Sequence, residues 1–225
     1  MRINKQDKFF TSFLISPMYI VFEWTVGTGK STQSKILINK LQELYPAREV
    51  LRVREPGTTE ITDAIRTLVQ GTKFTEEMDP ICEAYLYSSS RAQLINTLIK
   101  PALKRGAIVV SDRSFWSSLS YQWYAKDMWI ETIWEINKPI VEDCLADLVL
   151  LFDMPIDIGL SRTFDGEGDK HELNGKAFFE KAFAWYLKCL EDPRFAKKSI
   201  KIDALGSIEE VSERILSIID TDHIA

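Results

Sequence analysis

Histidine and cysteine are scarce in this chain. The two histidines, His171 and His223, are too few and too scattered for a metal centre. The three cysteines, Cys82, Cys144 and Cys189, match neither a CxxC motif nor a zinc spacing. Their odd number reads as free, buried thiols in a reducing cytoplasm. Long apolar runs are missing as well. Polar, basic Met1–Lys8 followed by apolar Phe9–Ile15 faintly imitates a signal peptide. However, Thr11, Ser12 and Ser16 interrupt the run and Glu23 ends it, too short to cross a bilayer. No other segment is apolar enough for a membrane. There is no surplus of positive charge either: 28 Lys and Arg against 33 Asp and Glu leave a net charge of −5. Such a balance argues against sequence-independent nucleic-acid binding, which runs on phosphate neutralisation. Internal repeats and low-complexity linkers are also lacking. What remains is an ordinary globular chain, 45% hydrophobic over 225 residues, long enough for a full core. Residues 1–16 read as an N-terminal extension and 17–225 as one domain.

What the chain has is alternation. Tyr19–Phe22, Val50–Arg54, Ala107–Ser111, Leu148–Phe152 and Ser199–Ile202 read as strands. Between them lie helical patterns. Ile36, Leu37, Leu41 and Leu44 give Lys30–Leu44, ended by Tyr45-Pro46. Ile61, Ile65, Leu68 and Val69 give Glu60–Val69. Pro80–Arg105 is the longest helical stretch, with a break expected near Pro101. Aromatic-rich helices are expected over Trp116–Lys126 and Trp129–Asp143, then Ile156–Arg162 and Lys176–Leu190. Ser207 caps a last helix. Thr163–Gly175, polar and glycine-bearing, reads as a loop. The expected fold is α/β, a parallel five-stranded sheet with helices on both faces. Ligands of such sheets bind at the carboxyl ends of the strands. The turns after Phe22 and Arg54, Asp112-Arg113 and Asp153 should therefore share one edge.

Between the first strand and the first helix stands Gly27-Thr28-Gly29-Lys30-Ser31-Thr32. It matches the end of the phosphate-loop formula G-x-x-x-x-G-K-[ST]. Backbone N–H groups over this stretch and the helix N-terminus suit a polyphosphate. Lys30 would reach its β/γ-phosphates and the Ser31 hydroxyl would ligate Mg²⁺. The formula's first glycine is replaced by Trp24, a bulky residue expected to alter the loop path. Asp112 closes an apolar strand: it either holds Mg²⁺ beside Ser31 or caps the next helix. Arg113 either clamps a phosphate in bidentate fashion or pairs with Asp112 or Glu55.

Taken in order, these pieces resemble the thymidylate kinase family of nucleoside-monophosphate kinases. Tyr19-Ile20-Val21-Phe22-Glu23 with Gly29-Lys30-Ser31-Thr32-Gln33 is similar to its P-loop, and Arg54-Glu55-Pro56-Gly57 to its R-E-P-G turn. Glu83–Gln93 resembles E-A-L-L-F-x-A-S-R-A-Q, and Lys100-Pro101-Ala102-Leu103 the K-P-A-L that follows. Asp112–Gln122 resembles D-R-Y-x-x-S-S-x-A-Y-Q, Asp147–Pro155 resembles P-D-L-x-x-x-L-D-x-P, and Ile202-Asp203-Ala204 resembles I-D-A.

The resemblance implies a P-loop NTPase-type three-layer fold with a short lid at about 163–175, a homodimer, and transfer of a phosphoryl group from ATP to dTMP with Mg²⁺. It implies that Tyr87 stacks on the pyrimidine and Arg91 hydrogen-bonds it. Ser118, Tyr121 and Gln122 would lie near base and sugar, with Glu55 and Pro56 on the acceptor side and Arg113 on the acceptor phosphate. The structural alternatives are core packing for Tyr87 and a surface ion pair for Arg91. The family's catalytic cation sits either in the P-loop, where this chain has Gly27, or in the lid. Arg162, also a candidate for the ATP side, and Lys170 are the lid cations available, Lys170 being equally readable as a solvated loop lysine. Val26 stands where relatives carry Asp or Glu near the sugar 3′-hydroxyl; Val26→Asp is expected to lower the KM for dTMP. Two other readings are a kinase for another or 5-modified deoxynucleoside monophosphate and a nucleotide-binding relative with little catalysis. Trp116, Trp123, Trp129 and Trp134 are candidates either for a dimer interface or for the core.

Overall fold

The computed structural model describes residues 16–24, 27–71, 73–124, 130–162 and 175–221. Five parallel strands make one sheet: β1 Met18–Glu23, β2 Val50–Arg54, β3 Ile108–Asp112, β4 Leu148–Asp153 and β5 Ser199–Asp203. Their order across the sheet is β2-β3-β1-β4-β5. Successive residues of a strand face opposite sides of the sheet. In β1, Tyr19, Ile20, Val21 and Phe22 are all buried, and in β4 so are Leu148 to Phe152. Both faces are therefore covered, which is why these strands read as unbroken apolar runs.

The helices are α1 Lys30–Leu44, α2 Glu60–Gln70, α3 Pro80–Leu94, α4 Lys100–Lys104, α5 Phe115–Ser118, α6 Ile130–Val141, α7 Ile156–Ser161, α8 Gly175–Glu191 and α9 Ile208–Thr221. Ser207 caps α9 as expected: its Oγ accepts from the Glu210 N–H at 3.1 Å, and Glu210 returns a bond to the Ser207 N–H at 2.7 Å.

The break expected near Pro101 does not occur. Ile95–Ile99 continues α3 as a π-helical turn, and Pro101 then opens α4 in its first turn. The wider turn accommodates a residue with no N–H and a ring that crowds the preceding carbonyls. A second π-helical turn, Leu119–Tyr124, continues α5. Cys82 is exposed on α3, so only Cys144 and Cys189 are buried thiols. Trp116 and Trp134 belong to the core rather than to an outer surface. Trp129 lies outside the described residues, as does the Trp123 side chain.

The register levels the strand ends. Asp112 pairs with Phe22 on one side and Arg54 on the other. The chain leaves β1 towards β2 and leaves β3 towards β4, in opposite directions across the sheet. Such a reversal opens a cleft above the carboxyl ends of the two adjacent strands.

Candidate active site

Gly27, Thr28 and Gly29 lead into α1 from that edge of the sheet. Gly27 and Gly29 have φ of +69° and +85°, values a side chain rarely tolerates. Gly27 also lies against α7, where a Cβ would sit 1.8 Å from the Gly159 carbonyl oxygen. Neither arginine nor any other side chain fits there. α1 begins with no side-chain cap and no acidic residue in its first turn. Its leading N–H groups suit an anionic ligand.

Lys30 is buried beside Thr28, its Nζ donating to Thr28 Oγ1 at 3.5 Å. Burial pulls its pKa down to about 7; Arg113 adds to the fall, while Asp112 and Glu23 oppose it. Ser31 Oγ donates to Asp112 Oδ2 at 2.5 Å. The capping role considered for Asp112 falls instead to Ser114, whose Oγ accepts from the Trp116 N–H at 3.3 Å. Ser31 and Asp112 offer hard oxygen donors of the kind Mg²⁺ takes, and Mg²⁺ uses one or two carboxylates and fills its shell with water and phosphate oxygens. No group of three or more His, Cys, Asp or Glu ligands occurs among the described residues, and such a site needs none. Arg52 Nη2 lies 3.8 Å from Asp112 Oδ2.

Trp24 turns its indole into the core. The ring meets Phe183 edge-on at 4.2 Å and lies over Tyr186 at 6.4 Å, both on α8. Its carbonyl accepts from Arg113 Nη1 at 2.6 Å. Arg113 has a positive φ of 74°. Its N–H donates to the Phe22 carbonyl at 2.9 Å, Nη1 also reaches Ser117 Oγ at 3.3 Å, and the guanidinium lies 5.4 Å above the Tyr121 ring.

Glu23 joins the site without having been a candidate from the sequence. This buried carboxylate ends β1 and accepts from the Ser114 N–H at 2.6 Å and its Oγ at 2.8 Å, from Ser117 Oγ at 2.9 Å and from Tyr186 Oη at 3.2 Å. Burial raises its pKa, opposed by Arg113 and by the serine bonds. A charged residue closing an apolar strand was the available signal.

On the other side of Asp112, the Glu55 N–H donates to the Asp112 carbonyl at 3.0 Å. Glu55 and Arg91 form a buried ion pair, Arg91 Nε donating to Glu55 Oε2 at 2.7 Å. The surface ion pair considered for Arg91 is thus a core one. Burial raises the pKa of Glu55, and Arg91 opposes the rise. Arg91 Nη2 donates to Ser118 Oγ at 3.0 Å, and Nη1 to Asn137 Oδ1 on α6. Tyr87 is buried one helical turn before Arg91 on α3, and Tyr121 is buried in the π-helical turn after α5. Pro56 is buried, and Arg66 Nη1 on α2 donates to its carbonyl at 3.0 Å. Arg66 and Asn137 were missed as well. Asn137 was detectable as a polar residue spaced helically among Ile133, Trp134 and Val141.

Lys30, Ser31, Thr28, Asp112 and Arg113 are thereby brought together, as are Glu55, Arg91 and Ser118. The adjacent Ser117 and Ser118 join the two groups. Arg162 is exposed at the end of α7 and is not drawn into either. Val26, Lys170 and residues 163–174 of the expected lid, together with the Gln122 side chain, lie outside the described residues. Among the described residues, no helix is long and apolar enough to cross a membrane.

Comparison with known proteins gives a consistent answer. The family model described as thymidylate kinase matches residues 22–215. The thymidylate kinase of Fervidobacterium nodosum is 35% identical over 201 residues, covering 89% of this chain and 98% of that protein. That of Thermosipho africanus is 36% identical over 205 residues, with 90% and 98% covered. The crystal structure of thymidylate kinase from Ehrlichia chaffeensis superposes with a TM-score of 0.73 at 22% identity, over 91% of this chain and 99% of that one, a likeness of fold. The chain belongs to the thymidylate kinase family.

Proposed function

We propose that this chain transfers the γ-phosphoryl group of ATP to dTMP, giving dTDP and ADP. The observation that carries the reading is the pairing of two sites at one sheet edge. A glycine loop with Lys30 and Ser31 lies on one side, and the buried Arg91–Glu55 group on the other. Asp112 and Arg113 stand between them. Gly27 to Thr32 cradle the ATP phosphates, and Lys30 supplies charge to them. Tyr87 stacks on thymine, Arg91 donates to a base carbonyl, and Ser118, Tyr121 and Gln122 complete the base and sugar side with Glu55 and Pro56. Arg113 holds the acceptor phosphate, its direction fixed by the Trp24 carbonyl and Ser117.

Phosphoryl transfer asks for in-line positioning and charge neutralisation more than for acid–base chemistry. Mg²⁺ held by Ser31 and Asp112 would neutralise charge on the phosphate oxygens. With Gly27 closed to a side chain, the remaining cation comes from Arg162 or Lys170. A lid over about 163–175 excludes the water that otherwise hydrolyses ATP. Residues 17–225 form a single domain and 1–16 an extension. The protein is a cytoplasmic homodimer; its three cysteines are unpaired, and Ile61, Leu68, Phe74, Ile81 and Tyr85 form an exposed apolar set on and between α2 and α3.

One assay tests the reading: ADP release from ATP and Mg²⁺, scanned over dTMP, dUMP, dCMP, dGMP and dAMP. The expected result is strong stimulation by dTMP. Stimulation by a purine monophosphate alone, or ATP binding without stimulation by any of them, would overturn it.

A further inference from the structure

Asn137 is a neutral polar side chain in the core, 1% exposed. Such a group is tolerated when its hydrogen bonds are made, and those of Asn137 have a direction. Nδ2 donates to the Ile133 carbonyl one turn back at 2.7 Å. That bond turns Oδ1 outward from α6, where it accepts from Arg91 Nη1 and from Ser88 Oγ, the latter at 3.1 Å. With the amide reversed, a donor would face the guanidinium and the Ile133 bond would be lost, so one orientation is dictated.

Arg91 is consequently held at three corners from three elements. Glu55 after β2 takes Nε, Asn137 on α6 takes Nη1, and Ser118 on α5 takes Nη2. A guanidinium carries five N–H donors in a fixed plane. Three are engaged among the described residues, which leaves two to be assigned to a ligand. Glu55 balances the charge of Arg91. Asn137 carries no charge, so its contribution is orientation. Its oxygen also holds Ser88, the residue after Tyr87, and thus links the arginine to the helix segment that presents the stacking ring.

We propose that Asn137 is a positioning residue of the monophosphate subsite. It sets the plane of the Arg91 guanidinium and hence the direction in which the remaining donors meet the base carbonyl. The proposal rests on the reading of Arg91 as a base-binding residue. It confines the effect to the monophosphate: affinity for dTMP and preference for a 4-oxo over a 4-amino pyrimidine depend on Asn137, and affinity for ATP does not.

Steady-state kinetics of the full chain and its variants, each checked for folding by thermal melting, test this. Asn137→Leu keeps the volume and removes the acceptor. It is expected to raise the KM for dTMP about tenfold, the scale of a lost hydrogen bond to a charged group, leave kcat and the KM for ATP unchanged, and narrow the preference for dTMP over dCMP. Asn137→Asp keeps an acceptor for Arg91 but loses the donor to the Ile133 carbonyl, so its KM for dTMP should fall between those of the parent and of Asn137→Leu. Where Asn137→Leu does not fold, Asn137→Ser, too short to reach Nη1, carries the same expectation as Leu. In an Arg91→Ala background, Asn137→Leu should add nothing further to the KM for dTMP. An unchanged KM for dTMP in the folded Leu or Ser variant, a matching rise in the KM for ATP, or additive effects with Arg91→Ala overturns the proposal. An Arg91→Ala chain with the parent's KM for dTMP overturns the reading of Arg91 itself, and the proposal with it.

Discussion

Lys30 is poised between charged and neutral before any nucleotide arrives. Burial holds its pKa at about 7, far below the ordinary 10.5. A polyphosphate placed beside it favours the ammonium and pulls the pKa back up. At pH 8, ATP binding is therefore expected to take up a proton. Titration calorimetry in buffers of different ionisation enthalpy measures that uptake, which should vanish in Lys30→Met; zero uptake in the parent chain would sink the idea. The same shift bears on stability. The unfolded chain binds more protons at Lys30 than the folded one between pH of about 7 and 10.5. The Lys30 contribution therefore rises with pH across that window, at its least favourable below it. Glu23 is the second residue whose environment decides its role. Four donors converge on its carboxylate from Ser114, Ser117 and Tyr186. Glu23→Gln puts a donor where one of these bonds was accepted. A stability loss of about 1–3 kcal/mol in urea unfolding is expected, with a lower kcat because Ser117 and Arg113 share the same pocket.

At the scale of elements, the sheet and the first helix were legible because burial on both faces leaves an unmistakable pattern. Lys30–Leu44 and Val50–Arg54 appear residue for residue as the apolar spacing predicts. Pro101 misled because a proline reads locally as a helix breaker, while the π-helical turn that accommodates it depends on the surrounding packing. The place of the Trp24 ring was not legible for a related reason. Its side chain is stabilised by Phe183 and Tyr186, far along the chain on α8, and no local pattern reports such a contact. Gly27 and Gly29 keep their left-handed backbone beyond it. Trp24 thus fastens the loop's first residue to α8 through Phe183 and Tyr186. Trp24→Gly restores the family formula and removes this fastening. By the scale of large-to-small core changes it should cost about 3–5 kcal/mol of stability, read as a fall in Tm, whereas Trp24→Phe should recover much of the loss. A Tm unchanged in Trp24→Gly would mean that the ring contacts contribute nothing to the fold.

For the whole molecule, the question is what covers the outer side of α3. Ile81 and Tyr85 are more than half exposed, and Ile61, Leu68 and Phe74 lie exposed on α2 and the segment after it. A groove between α3 and α6 continues this surface, lined by Ile81, Tyr85, Ser88, Ile136 and Ile140. Exposed apolar side chains such as Ile81 and Tyr85 beside a groove that also holds Glu131 and Glu135 suit an interaction site with a polar rim, and a symmetric pair meeting through one patch is the commonest way to bury one. Sedimentation equilibrium is expected to give about twice the 25.9 kDa chain mass, and the double variant Ile81→Glu, Tyr85→Glu is expected to sediment as a monomer. The groove adds a consequence. Ser88 forms part of its lining and donates to Asn137 Oδ1, which in turn holds Arg91. A partner pressed on α3 and α6 therefore steadies the two helices that carry the base-binding arginine and its support. The monomeric variant should then show a higher KM for dTMP than the parent with the KM for ATP unaltered, measured where the parent is dimeric. A monomer with parental KM for both substrates would leave the dimer a purely architectural role.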